Sequence, residues 1–369
     1  MPVSLRAPDD FHVHLRQPPL LGPVVRETAR WFDRVLVMPN TVPPVTTAES
    51  LVAYRDAILA EVPSSQTLEL LMTFKLVPEL PAASVAALKA AGAIGGKLYP
   101  RGVTTNSADG VDEIDALFPV LEAMEAHDLV LEIHAEAPDA FSLDREAAYL
   151  PTIERLAARY PELRIVIEHV SSAAAIRALR SLPDTVAATV TVHHLLLTLD
   201  DVVGGELRPH HFCKPIAKRP DDREAIVEAV LSGDPRVFFG SDSAPHPRDA
   251  KESDCGCAGI YTAPVAIPLL AEFFERAGLP LTEAGAHAAP GETTATAGSE
   301  AAGGEAAGSA SLESFVSRYG AEFYRLPLSE RRITLVEAPW DVPSRYGDVV
   351  PFRAGTRLTY TISGGTDGS

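Results

Sequence analysis

The chain has 369 residues, 46% of them hydrophobic and 22% charged, the composition of a globular protein able to bury a sizeable core. A formal net charge of −18 repels nucleic acid and anionic membrane surfaces, so neither is expected as a partner, and an anionic substrate needs a locally positive pocket of arginine or metal. Three cysteines, no leader-like segment before the first motif and no apolar run of membrane-spanning length lead us to expect a reduced, cytoplasmic protein.

Short apolar, β-branched runs recur along the chain. In order they predict strands over Phe11–His14, Val35–Pro39, Leu68–Phe74, Ile94–Leu98, Leu129–His134, Ile165–His169, Val186–His193 and Val237–Asp242. Helical patterns lie between them at Ala48–Leu59, Ala82–Ala91, Val111–Ala126, Thr152–Arg159, Ala173–Leu182 and Asp221–Leu231, with Thr47 and Ser171-Ser172 as helix-start hydroxyls. Eight strands alternating with helices point to an α/β fold, a closed (β/α)8 TIM-like barrel rather than an open doubly wound sheet. The stretch 284–311 is almost wholly Ala, Gly, Glu, Ser and Thr and reads as a low-complexity, disordered insertion. Residues 1–283 and 312–369 then make one barrel unit. Ordered sequence resumes at Leu312–Tyr324, and a small C-terminal accessory segment follows, alternating like a strand over Arg357–Thr361.

With strands so placed, polar residues gather at their C-terminal ends: His12 and His14, Asn40, Lys97, His134, His169 and Asp242. That is the face on which barrels build active sites. His12 and His14 are two apart on an extended strand and point to the same side. Each histidine alone reads as an ordinary hydrogen-bonded core residue. Four of them with an aspartate at one barrel end read as metal ligands, because imidazole nitrogen and carboxylate oxygen suit zinc. Lys97 is different, since an ammonium has no lone pair to offer a metal. It either pairs with Asp242 or deprotonates and takes up carbon dioxide as a carbamate. Cys255-Gly256-Cys257 lacks the second ligand pair of a structural zinc module, and His193-His194 reads as structural. The segment Tyr99–Ser107 is rich in turn and hydroxyl residues and reads as a strand-to-helix loop.

Several longer motifs contain these residues: Asp10-Phe11-His12-Val13-His14-Leu15-Arg16, Met38-Pro39-Asn40-Thr41, Gly96-Lys97-Leu98-Tyr99-Pro100, Glu132-Ile133-His134-Ala135-Glu136 and Glu168-His169-Val170-Ser171. Phe212-Cys213-Lys214-Pro215-Ile216, Gly240-Ser241-Asp242-Ser243-Ala244-Pro245-His246 and Cys255-Gly256-Cys257-Ala258-Gly259 continue the set. Together, from residue 9 to about 275 and again near 312–362, they resemble the dihydroorotases of the amidohydrolase superfamily, in the shorter bacterial and fungal form that acts as a separate enzyme. The resemblance implies two zinc ions per subunit. His12, His14 and Asp242 would bind one and His134 and His169 the other, with carbamylated Lys97 and a hydroxide bridging them. It also implies a homodimer. Arg16, Asn40, His246 and the backbone at Ala258 would contact a small-molecule substrate bearing carboxylates, and a loop would close over it through Thr104 and Thr105.

The reaction so implied is the reversible cyclisation of N-carbamoyl-L-aspartate to L-dihydroorotate in pyrimidine synthesis, with Asp242 as the catalytic proton shuttle. Two other readings remain open. A hydantoinase-like cyclic amidase would share the metals, but Arg16 and Asn40 serve a free carboxylate that simple hydantoins lack. A non-catalytic amidohydrolase-fold scaffold would typically have lost ligands, and here all six candidates are present. Lys214 lies in a stretch that the family uses mainly through backbone, and its side chain has no assigned role.

Overall fold

The structure is a computed structural model that describes residues 2–254, 256–286 and 310–363. Most of the insertion expected at 284–311 therefore lies outside the described residues. At its edges, 283–286 form a short helix, and Ala310 and Ser311 are buried in the body of the protein.

Among the described residues, eleven strands fall into two sheets. They are β1 (Val3–Arg6), β2 (Asp9–Val13), β3 (Arg34–Val37), β4 (Glu69–Lys75), β5 (Ala93–Leu98), β6 (Val130–Ile133), β7 (Ile165–Ile167), β8 (Val186–Val190), β9 (Val237–Phe239), β10 (Arg332–Asp341) and β11 (Arg357–Ile362). Strands β2 to β9 pair in sequence order and all in parallel. The first and last meet just past their ends, where Asp242 N–H donates to the His12 carbonyl at 2.9 Å and His14 N–H to the Ser243 carbonyl at 3.0 Å. This is the expected barrel. Its strands are short, buried on both faces and therefore continuously apolar, as in Ile165-Val166-Ile167.

Side chains alternate between two apolar clusters. Val35, Val37, Ile165 and Ile167 face the surrounding helices, while Leu36, Met38, Val166 and Phe238 fill the barrel interior with Phe11, Tyr319 and Tyr324. The register of β2 against β3 slips between Asp10 and Val13. Phe11 is consequently interior and Val13 exterior, and His12 still points inward. Without that slip, strict alternation from Phe11 would turn His12 toward the helices.

Other elements depart from expectation at their edges. The helix Ala48–Leu59 forms as predicted, with Thr47 accepting from Ser50 N–H. The helix expected over Val111–Ala126 divides into a 3-10 turn, Ile114–Leu117, and an α-helix, Phe118–Ala126, which Pro119 can open but not interrupt. The helix expected from Thr152 starts at Arg145 and runs through Pro151. Strand β8 stops at Val190, so His193 lies on a short helix, Val192–Leu196, and not on the strand predicted to include it. Helices Leu21–Trp31 and Ala266–Arg276 were not anticipated. The accessory segment is a three-stranded antiparallel sheet, β1-β10-β11, and the N-terminal residues of β1 form one edge of it. No helix among the described residues is long and apolar enough to cross a membrane.

Candidate active site

A pocket opens at the C-terminal ends of the barrel strands. Its lining includes His12, His14, Arg16, Asn40, Thr104, Thr105, His134, His169, Asp242 and Ala258 from the predicted set, together with Tyr99, Lys214, Ala244 and Gly259. The structure thus gathers residues from seven strands and the loops that follow them. Three of them, Arg16, His169 and Asp242, have left-handed backbones, with φ of 64°, 42° and 41°. Residues other than glycine adopt that conformation at a cost of order 1–3 kcal/mol, and such strain concentrates at functional sites.

The first group of candidate ligands is oriented from behind. Buried Glu168 accepts from His12 Nδ1 at 2.7 Å, and Asn40 Oδ1 accepts from His14 Nδ1 at 2.8 Å. Both imidazoles therefore present Nε2 lone pairs to the pocket. Those two nitrogens are 3.4 Å apart and lie 3.4 and 3.2 Å from Asp242 Oδ1. Ligand atoms around a tetrahedral zinc, with bonds of about 2.0–2.1 Å, are separated by roughly 3.4 Å. Burial pushes the pKa values of His12 and His14 below the ordinary histidine value, which keeps both imidazoles in the neutral form a metal requires.

Across the pocket, Glu136 Oε2 lies 2.7 Å from His134 Nε2, leaving Nδ1 as that ring's free lone pair. His169 stacks edge-on to His134 and His12, with centroids 4.7 and 5.0 Å apart, and its buried Nδ1 has no partner. Lys97 is fully buried and its Nζ has no hydrogen-bond partner. The Lys97–Asp242 ion pair left open by the sequence is therefore not formed. Burial pulls the Lys97 pKa down, although Glu168, Glu132 and Asp242 oppose the shift. Orphaned lysine and histidine nitrogens beside three convergent ligand atoms fit a metal centre, and nothing in the donor set conflicts with one. The two glycines before Lys97 make this packing possible, since a Cβ on Gly95 would lie 2.0 Å from Glu132 Oε1.

The substrate-binding candidates form a second layer. Arg16 Nε donates to the Pro245 carbonyl at 2.9 Å and Nη2 to His246 Nε2 at 3.0 Å. Burial, then the Arg16 charge, push the His246 pKa down to about 3, so its Nε2 remains a neutral acceptor. The Asn40 amide is engaged at both ends, through Oδ1 with His14 and through Nδ2 with the Thr105 carbonyl at 3.3 Å. Thr105 Oγ1 donates to the Ala258 carbonyl at 3.4 Å, and Lys75 Nζ holds the same loop through the Asn106 carbonyl at 2.7 Å.

Glu168 and Thr189 were absent from the predicted site. Thr189 Oγ1 donates to Glu168 at 2.6 Å and accepts from His169 N–H at 2.7 Å, so one hydroxyl links the supports of both histidine groups. The adjacency Glu168-His169 was the signal available for them. A second cluster, His193, His194 and Cys213, also brings three ligand-type side chains together. There the His194 nitrogens already bond Thr191 Oγ1 at 2.9 Å and the Pro215 carbonyl at 3.0 Å. The Cys213 thiol donates to that same carbonyl at 3.2 Å, and burial pushes its pKa up to about 12. His194 and Cys213 are thus occupied as structural groups.

Comparison with known proteins agrees with this chemistry. An amidohydrolase family model matches residues 40–259. The dihydroorotase of Teredinibacter turnerae is 41% identical over 98% of this chain and 98% of its own length. Among solved structures, the dihydroorotase of Campylobacter jejuni superposes with a TM-score of 0.83 at 36% identity, covering 98% of this chain and 97% of that one. The Saccharomyces cerevisiae dihydroorotase, solved in complex with 5-fluoroorotic acid, gives a TM-score of 0.84 at 32% identity and covers 98% of both chains. On barrel, site and full-length similarity together, the chain belongs to the dihydroorotase family of amidohydrolases.

Proposed function

We infer that this site interconverts N-carbamoyl-L-aspartate and L-dihydroorotate by closing or hydrolysing a cyclic amide. The observation that carries the reading is the Arg16 guanidinium, braced by Pro245 and His246, opening into the same pocket as the convergent His12, His14 and Asp242. It supplies a carboxylate-binding group beside a hydrolytic metal centre.

His12, His14 and Asp242 would hold one zinc ion, His134 and His169 a second, and Lys97 both, as its carbamate. When bound, the ions supply an acidified water and positive charge facing the amide carbonyl. Lys97 can be modified because burial favours its neutral amine, whose lone pair adds to carbon dioxide and releases one proton. In hydrolysis Asp242 takes a proton from the attacking water and delivers it to the departing ring nitrogen. In cyclisation it takes a proton from the carbamoyl nitrogen as that nitrogen bonds to the side-chain carboxyl carbon, and the carbon–oxygen bond that breaks releases its oxygen as water, with that proton and one from solvent. Arg16, held in place by His246, carries the carboxylate that stays outside the ring, with the Ala258 backbone beside them. Thr104 and Thr105 lie on the loop that excludes water over the bound substrate. The same reading includes a homodimer in the cytoplasm and a single barrel unit interrupted by the 284–311 insertion.

The test is ring opening of dihydroorotate followed in the ultraviolet, before and after chelation, beside Lys97→Ala. Turnover that chelation abolishes, zinc restores and Lys97→Ala lacks is the expected result. Brisk opening of hydantoin with no turnover of dihydroorotate overturns the substrate assignment.

A further inference from the structure

We propose that Lys251, through the backbone it holds, positions the substrate-carboxylate wall of the pocket. Lys251 ends a single helical turn, Arg248–Lys251, shortly after His246, and only 4% of it is exposed. Its Nζ donates to the carbonyls of Phe212 and Cys257, both at 3.0 Å, and to that of Gly259. An ammonium has three protons, and all three are committed to main-chain oxygens. Among the described residues no carboxylate pairs with it. A buried charge without a counter-ion is costly, and desolvation draws the Lys251 pKa down to about 8. A charged side chain held there at such a cost has a specific task, and the three carbonyls define it.

Those carbonyls lie on two segments that meet in one wall. Phe212 leads to Lys214, which lines the pocket as Ala258 and Gly259 do. The Phe212 carbonyl also accepts from Gly259 N–H at 2.9 Å. Gly259 has φ of 145°, and a Cβ there would lie 2.5 Å from the Ala244 carbonyl oxygen, so the segment has little freedom to relax around a lost anchor. Ala258, between the two anchored carbonyls, touches both halves of the substrate site. Its backbone, with that of Gly259, lies against His246, the partner of Arg16, since a Cβ on Gly259 would be 3.0 Å from His246 Cδ2, and its carbonyl accepts from Thr105 on the covering loop. The chain of contact runs from Lys251 to Ala258, and from there to His246 and Arg16 on one side and Thr105 on the other. None of it touches a candidate metal ligand directly.

The proposal rests on the dihydroorotase reading and is tested in the full-length protein with Lys251→Met and, as a second neutral variant, Lys251→Gln. We expect KM for dihydroorotate to rise roughly tenfold or more, as loss of a buried charge-assisted anchor implies, with kcat within about threefold and bound metal unchanged. Thr105→Val should weaken binding in the parent protein but add little to Lys251→Met, because both act through Ala258. Amide exchange at Ala258 and Gly259 should accelerate in the variants whether or not dihydroorotate is a substrate, which separates failure of this proposal from failure of the functional reading. An unchanged KM, fully additive effects with Thr105→Val, or loss of metal in parallel with kcat overturns it. Failure of both variants to fold also overturns it, because the lysine would then serve the fold and not the wall.

Discussion

Replacing Arg16 by lysine keeps the charge and removes the fork. Of the five guanidinium N–H groups, one is used on the Pro245 carbonyl and one on His246 Nε2, which leaves three, enough for two parallel bonds to a carboxylate. A lysine has three protons in all. If it serves the same two neighbours it keeps one, so the carboxylate loses one of two charge-assisted bonds. Such a bond contributes about 1.5–3 kcal/mol, which corresponds to roughly ten- to 150-fold in affinity. The carboxylate is not a reacting group, and its contact should be equally strong in ground and transition states. The loss should therefore appear in KM, with kcat nearly unchanged. The assay is steady-state hydrolysis of dihydroorotate by Arg16→Lys, with 5,6-dihydrouracil, the same ring without its carboxylate, as the control. An unaltered KM for dihydroorotate, or an equal loss on both rings, would refute the assignment of Arg16.

Two further outcomes follow from the surroundings of the site. Glu168→Gln should weaken metal retention against a chelator by roughly 10–100-fold, because the carboxylate behind His12 fixes its tautomer and basicity; retention equal to the parent protein's would mean that the 2.7 Å contact does not orient the ligand. Cys213 should resist iodoacetamide at pH 8 in the native protein while the more exposed Cys257 reacts, as read by peptide mass spectrometry. Burial raises the Cys213 thiol to about 12, so its proton is retained in the fold. The associated stability is complete below the usual thiol value and declines as pH rises toward 12. Labelling of both cysteines at one rate would contradict this burial.

The barrel was legible because parallel strands buried on both faces are continuous apolar runs, and eight of them are hard to mistake. The candidate metal ligands were legible as a group because a His-x-His pair and strand-end histidines are unusual in chemistry as well as in position, and the barrel brings them to one pocket. Their supports were not. Glu168 is one carboxylate among 50 acidic residues, and its one local signal, adjacency to His169, does not say that it supports His12 until the barrel closes around it. Lys251 was hidden for the same reason, since its acceptors are main-chain carbonyls that every residue has. His193 was assigned to a strand because β8 and the turn after it share an apolar pattern, and only Thr191, capping the short helix through His194 N–H, ends the strand. Strand β1 was missed because its partner is β10, at the opposite end of the chain, and pairing at that distance leaves no local trace.

The meeting of the first and last barrel strands has a consequence for how the protein is made. Ser241 Oγ donates to the His12 carbonyl across 229 residues of chain, and Asp242 joins His12 and His14 only through that closure. A growing chain that has left the ribosome as far as β8 already holds five of the six candidate ligands, yet it lacks the carboxylate that completes the first group. Tight metal capture thus becomes a reporter of a chain that has grown past the last barrel strand. A chain stalled or cleaved before residue 242 would keep its histidines and lose the site.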